Sequence, residues 1–224
     1  HNLLRRHGER GVVVESAVVI FDRATGESEV IYDKDDLSPA AVATFLRSGH
    51  WENASANFAS GSFFSISREA LKGKLHTSRG SAAWELALDR SDEVLYHFPN
   101  ERLYRLPWPK KKIITRDCFL RFKGRISCAG ITVEGDFLGM NGHNWGTEHA
   151  YEYAYADCNR FTEDTEACFD GFSVKVALAR GLVKSPFLSM CSLRLDQRWH
   201  HFNALTASWK QRVEALDDYR WIAT

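Results

Sequence analysis

Leu138-Gly-Met-Asn-Gly-His-Asn-Trp-Gly-Thr-Glu-His-Ala-Tyr-Glu-Tyr-Ala-Tyr-Ala-Asp-Cys-Asn-Arg-Phe161 is the stretch on which the reading of this chain turns. Its first part packs Gly139, Gly142 and Gly146 around His143, Asn144 and Trp145, so the backbone there either turns tightly or approaches another group closely. Hydrogen-bonding and titratable side chains crowd the same segment: Asn141, His143, Asn144, Glu148 and His149. The second part alternates. Tyr151, Tyr153, Tyr155, Asp157 and Asn159 share one face of an extended strand, and Glu152, Ala154, Ala156 and Cys158 the other. A helix would bring Tyr151 and Tyr155 together but scatter Tyr153 and Asp157, so the pattern predicts a strand.

Three tyrosines followed by Asp and Asn make an unusual face for a plain core. Phenol rings bury apolar area while their hydroxyls need partners, and a buried Asp or Asn is costly unless hydrogen-bonded. Such a strand carries a satisfied internal polar network, lines a cavity, or is a core strand with Asp157 near its exposed end.

Working outward, the rest of the chain has the same character. Val12 to Phe21 is β-branched and apolar, Asp22 to Gly26 supplies a turn, and Glu27 to Tyr32 returns as a second strand. Ser38 and Pro39 open a short helix over residues 38–48, closed by Gly49. Runs beginning at Ser62, Gly73, Ser81 and Glu93 follow at the spacing of meandering antiparallel strands, with Trp84, Leu86 and Leu88 on one face. Leu106-Pro-Trp-Pro109 and three lysines interrupt them, which predicts a lobe boundary: an N-terminal lobe over 1–112 and a C-terminal lobe over 113–224. In the second lobe a strand from Cys118 is expected to turn at Lys123-Gly124, and strands are expected over Ala167 to Ala179, Phe187 to Leu195 and Trp199 to Leu205. Ala207 to Ala215 fits either a strand or a helix, and the end at Thr224 suggests further sequence beyond it. The expected fold is therefore mostly β: an antiparallel barrel or sandwich with one or two short helices, because open edges aggregate.

Composition narrows the function classes. Hydrophobic residues make up 44% of the 224, enough for a sizeable core and against disorder. The 29 acidic and 29 basic residues balance, so no net field draws nucleic acid or an anionic membrane. No apolar run reaches the roughly 18 residues of a spanning helix. Five cysteines without a CxxC pair read as small buried residues in a reducing, cytoplasmic compartment, with a mature secreted or periplasmic form as the alternative. The usual zinc spacings, a GxSxG elbow, a Walker A loop and a dinucleotide fingerprint do not occur, so neither a metal nor a cofactor is expected.

Gly142-His-Asn-Trp-Gly146, followed by an aromatic strand ending in Asp157-Cys-Asn159, resembles the motif of the tocopherol cyclase-like, AttH and carotenoid 1,2-hydratase group. The close match covers about 20 residues. The resemblance implies a lipocalin-like (calycin) β-barrel, often two per chain, and chemistry on isoprenoid double bonds. One position departs: where the hydratase pattern has Asp immediately before the His, this chain has Gly142, with Asn141 before it. The resemblance thus supports the barrel and pocket more than the hydration itself.

Three readings follow, the third an interaction or scaffold role in which His143-Asn-Trp-Gly146 locks a barrel corner and does nothing more. As an enzyme, the protein delivers a proton to an alkene in an apolar cavity, from an acid kept protonated by burial. Asp157 or Glu148 is then the acid, with His143 or His149 as relay or base. Tyr151, Tyr153 and Tyr155 stabilise cationic charge, and Trp145, Asn144 and Asn159 shape the substrate wall. As a carrier, the barrel holds a hydrophobic small molecule without chemistry, and the same polar residues tie strands together. His76 and His97 read as lone structural residues, and His200 and His201 fall on opposite faces of a strand.

Overall fold

A computed structural model describes residues 2–6, 12–22, 24–38, 53–148, 150–178, 183–204, 213–217 and 220–223. They are mostly β, in antiparallel sheets, as the alternating pattern predicts. The chain divides into two compact units, but not at a single cut near residue 112. The first unit holds His1–Asp89 and Arg121–Phe137, the second Arg90–Leu120 and Leu138–Thr224.

In the first unit, β1 (Asn2–Arg6), β2 (Val12–Phe21) and β3 (Ser28–Leu37) form one sheet in that order. The hairpin β2–β3 pairs in unbroken register from Val12 opposite Leu37 to Phe21 opposite Ser28. Asp22 shapes its turn by accepting the Ala24 amide at 2.7 Å. A meander follows: β4 (Ala54–Asn57), β5 (Phe63–Ile66), β6 (Ala70–Thr77) and β7 (Gly80–Asp89), each paired with the next. Alternation sorts its faces. Ala56, Phe64, Leu75, Ala82, Trp84 and Leu86 turn inward and pack with Val14 and Ile31 of the three-stranded sheet. The opposite face carries charge, such as the exposed Lys72–Glu85 cross-strand pair at 2.5 Å.

β8 (Val94–Tyr96) precedes a single 3₁₀ turn over Glu101–Tyr104, where the Asn100 side chain accepts the Arg102 amide. The Leu106-Pro-Trp-Pro109 segment, with a cis Trp108–Pro109 peptide, leads into β9 (Lys111–Cys128) and β10 (Ile131–Gly146). Both strands are longer than expected. The turn foreseen at Lys123-Gly124 is absent, and Gly139 to Gly146 runs on as strand without a tight turn. Two of the glycines, Gly124 and Gly146, serve close approach. At Gly124, with φ of 146°, a Cβ would lie 2.1 Å from the Glu85 carbonyl oxygen of β7. At Gly146, with φ of 147°, it would lie 2.0 Å from the Lys110 carbonyl oxygen, which accepts the Thr147 amide at 3.1 Å.

In the second unit, β8 pairs with the first part of β9, from Val94 opposite Arg116 to Tyr96 opposite Ile114. β11 (Glu152–Cys158) and β12 (Cys168–Lys175) begin a second sheet; a short pair, β13 (Ala177–Leu178) and β14 (Val183–Lys184), interrupts the chain before β15 (Leu188–Leu195) and β16 (Arg198–Phe202) complete it. Its order is β11-β12-β15-β16. β17 (Val213–Asp217) and β18 (Arg220–Ala223) form a separate pair, so the part of Ala207 to Ala215 that is described is strand. The helix expected over 38–48 lies outside the described residues from residue 39 onward. Among the described residues no sheet closes on itself, and no helix is long and apolar enough to cross a membrane.

The glycine reading has a direct check. Gly124→Ala and Gly146→Ala each place a methyl group against backbone in a left-handed conformation, and each is expected to cost about 2 kcal/mol or more. Gly142 has open space at its Cβ position and no strained φ, so Gly142→Ala should stay within about 0.5 kcal/mol of the parent. Denaturant midpoints of the three variants measure the difference; equal costs at 142 and 146 would return the motif to a corner role.

Candidate functional site

Pairing in the four-stranded sheet sets Asp157 opposite Asp170, Asp170 opposite Ser192, and Ser192 opposite His201. Cross-strand partners share a face, so four polar side chains from β11, β12, β15 and β16 stand in one row. The adjacent row on that face is apolar or amphipathic: Tyr155, Phe172 and Met190. Sequence alternation puts these residues on one face; only the register aligns them.

Asp170 and His97 are wholly buried, and Thr115 on β9 joins them. The Thr115 hydroxyl donates to Asp170 Oδ2 and lies 3.1 Å from His97 Nε2. His97 Nε2 is itself 3.7 Å from Asp170 Oδ2. Farther along the row, Ser192 Oγ lies 2.9 Å from His201 Nδ1. Two buried polar atoms at the centre, His97 Nδ1 and Asp170 Oδ1, have no hydrogen-bond partner among the described residues. Apolar side chains close around them. The His97 ring meets Phe172 edge-on at 5.4 Å, and Phe172 packs with Phe98, Met190, Ile113 and Val174.

Burial sets the protonation of this group. It pushes the Asp170 carboxyl up to about 6, opposed by the hydrogen bond from Thr115 and by the nearby Tyr155 hydroxyl. It pushes the His97 ring down to about 4, with His201 adding to the shift. The Tyr155 phenol is raised well above its ordinary range by burial and by the carboxylates of Asp170 and Asp157. By distance, the hydrogen bond Tyr155 makes is a long one, to Met140 Sδ at 3.7 Å, so its hydroxyl sits near the carboxyl without a firm bond to it.

A second cluster surrounds Tyr104. Its hydroxyl accepts the backbone amides of His97 at 2.9 Å and Phe98 at 3.1 Å, and donates to the Ile113 carbonyl at 2.9 Å. Burial raises that phenol to about 12, so it remains a donor throughout the physiological range. Trp145 lies 6.0 Å from the Tyr104 ring, and His143 stacks on Trp145 at 5.2 Å and 22°. His143 is half-buried, and its pKa is lowered by burial and then by the Arg116 and Lys111 cations. The motif residues thus reach the buried group through Tyr104.

The residues singled out from sequence separate into several positions. Tyr155 and Asp157 stand beside Asp170; Asp157 is exposed at the rim, with partial burial raising its carboxyl. His143 and Trp145 belong to the Tyr104 cluster. Glu148 is exposed and ion-paired with Lys110, not with the buried group. Asn159 donates to the carbonyls of Cys118 and Gly139 at 2.9 and 2.8 Å, tying the end of β11 to β9 and β10. Asn144 is exposed, and His149 lies outside the described residues. The three tyrosines do not line one wall. Tyr151 is 53% exposed, with its hydroxyl accepting from Lys184, and Tyr153 is 74% exposed; only Tyr155 turns inward. Asp170, Thr115 and Ser192 escaped sequence reasoning, and His97 was read as structural. The available signal was an acid within the apolar run Cys168-Phe-Asp-Gly-Phe172. No group of three or more ligating side chains suited to a metal occurs among the described residues.

The pair makes opposing demands on pH. Asp170 favours the fold when protonated, so its contribution is full below about pH 4 and is lost as pH rises through about 6. His97 favours the fold when neutral, so its contribution is full above about 6.5 and is lost as pH falls through about 4. Between those values the two nearly cancel. Asp170→Asn should therefore give stability that rises with pH across this window, and His97→Asn stability that falls, each by about 2–3 kcal/mol. Denaturant titrations across the window read the slopes; slopes of the same sign would refute the assignment. In comparisons with known proteins, no family model, curated protein or solved structure matches this chain.

Proposed function

We propose that this chain belongs with the lipocalin-type tocopherol cyclase-like, AttH and carotenoid 1,2-hydratase group. In this reading it is a cofactor-independent enzyme that cyclises, hydrates or isomerises a hydrophobic isoprenoid or polyketide-like molecule. The observation that carries this reading is Asp170, a carboxyl shut away from water beside the apolar residues Phe98, Phe172 and Met190. The His143–Trp145 stack supports it, because the residues that bear the family resemblance pack towards Tyr104, whose hydroxyl accepts the backbone amide of His97 beside the carboxyl.

The chemistry begins with protonated Asp170. Its O–H bond breaks as the alkene π pair takes the proton, a C–H bond forms, and positive charge develops on the neighbouring carbon. The ring faces of Phe172 and Tyr155 stabilise that charge. Capture by a hydroxyl of the same molecule closes a ring, capture by water hydrates, and loss of a neighbouring proton isomerises; in each case the proton released from the captured oxygen or the neighbouring carbon returns to the Asp170 carboxylate, restoring the acid. A carboxyl at about 6 keeps far more of its acid form near neutrality than an ordinary aspartic acid.

A second reading, a lipocalin-type carrier of a hydrophobic molecule, is favoured by bonds that join strands within the site. Thr115–Asp170 and Ser192–His201 are the kind of links a purely structural network makes. A phenol bearing an unsaturated prenyl chain, followed by chromatography and mass spectrometry, separates the two. The enzyme should convert it at a rate that falls as pH rises through about 6, as the acid form is lost. Asp170→Asn should reduce turnover by at least about a hundredfold while retaining binding. Binding without conversion selects the carrier, and undiminished conversion by Asp170→Asn removes Asp170 from the acid role.

A further inference from the structure

We propose that Thr115 is a positioning residue, fixing which oxygen of Asp170 bears the acidic proton and which nitrogen of His97 is left bare. Its catalytic meaning rests on the acid role given to Asp170 above; the hydrogen-bond geometry stands apart from it.

An ionised carboxylate accepts hydrogen bonds and donates none. The Thr115 hydroxyl must therefore point its proton at Asp170 Oδ2, the oxygen it contacts. A hydroxyl has one proton. With that proton committed, Thr115 Oγ1 can only accept from His97 Nε2, 3.1 Å away. The ring is thereby held as the Nε2–H tautomer, and its Nδ1 keeps a lone pair with no partner among the described residues. When Asp170 takes up a proton, Oδ2 is still occupied by Thr115, so the proton goes to Oδ1. That oxygen also has no partner among the described residues. One threonine thus leaves a free acid and a free base in the same buried site.

Among the described residues, the other titratable groups around the carboxyl are Asp157 and Tyr155 on β11, Cys168 on β12, Cys118 on β9, Cys191 on β15, His201 on β16, and His97 itself. None of them bridges Asp170 and His97 as Thr115 does. Valine at position 115 keeps the shape and removes the bridge, whereas serine keeps the bridge.

The experiment is NMR on the substrate-free full chain, with ¹⁵N-labelled histidine and ¹³C-labelled aspartate. The nine histidines are sorted by difference against His97→Asn. In the parent protein His97 should show Nε2 protonated and Nδ1 bare at neutral pH. Thr115→Val should release the tautomer into a mixture and move the Asp170 midpoint up by roughly one pH unit, since a hydrogen bond to the charged form is lost. Thr115→Ser should restore both. A parent His97 carrying its proton on Nδ1 overturns the proposal, as does a Thr115→Val protein with unchanged tautomer and midpoint. If Thr115→Val does not fold, the parent tautomer and the Thr115→Ser spectrum still decide. These readouts need no substrate, so a failed turnover assay would refute the acid role and leave them untouched.

Discussion

The second unit is built around the cost of placing one carboxyl out of reach of water. An isolated buried carboxylate is penalised by several kcal/mol, and proteins respond by pairing it, bonding it or letting it keep its proton. Two of these responses meet at Asp170, a hydroxyl from β9 that bonds it and a pKa raised towards neutrality, with a neutral imidazole from the segment after β8 close by. The strands that supply them lie far apart in sequence. Their convergence depends on the pairing that places β12 between β11 and β15.

That pairing relies on missing side chains as much as on those present. Gly171, next to Asp170, stands opposite Cys191, and a Cβ there would lie 2.9 Å from the cysteine sulfur. Gly73 does the same service in the first unit, where the Trp84 ring lies over it and would be 2.1 Å from an added Cβ. In both cases glycine is spent on proximity between strands, at some loss of strand propensity.

This division of labour explains what the sequence revealed. Period-two alternation is a local property, so the hairpin from Val12, the meander through Trp84 and the strand from Tyr151 to Cys158 could be read directly. Glycine is ambiguous by nature, since one residue permits both a tight turn and a close approach; at Gly124 the expected turn is a close approach, and of the two uses open to the Gly139–Gly146 run Gly146 takes the close approach. The polar row was harder still. Asp157, Asp170, Ser192 and His201 become neighbours only through three registers, and a shift of one residue in any of them would send the side chain to the opposite face. Asp157 stands out in the sequence because an aromatic run leads up to it. His97, between Tyr96 and Phe98, offered no periodic cue that distinguished it from an isolated core histidine.

The path of the backbone between the units carries a consequence for how the molecule is made. Because the first unit regains residues 121–137 after the chain has already entered the second, neither is a contiguous segment that truncation could isolate. During synthesis, β7 must wait for Cys128 to emerge before its edge from Ala82 onward is covered. Partners so distant along the chain raise contact order and slow folding. An uncovered β7 edge in the interim is the place where a nascent chain would be most exposed to mispairing with its neighbours.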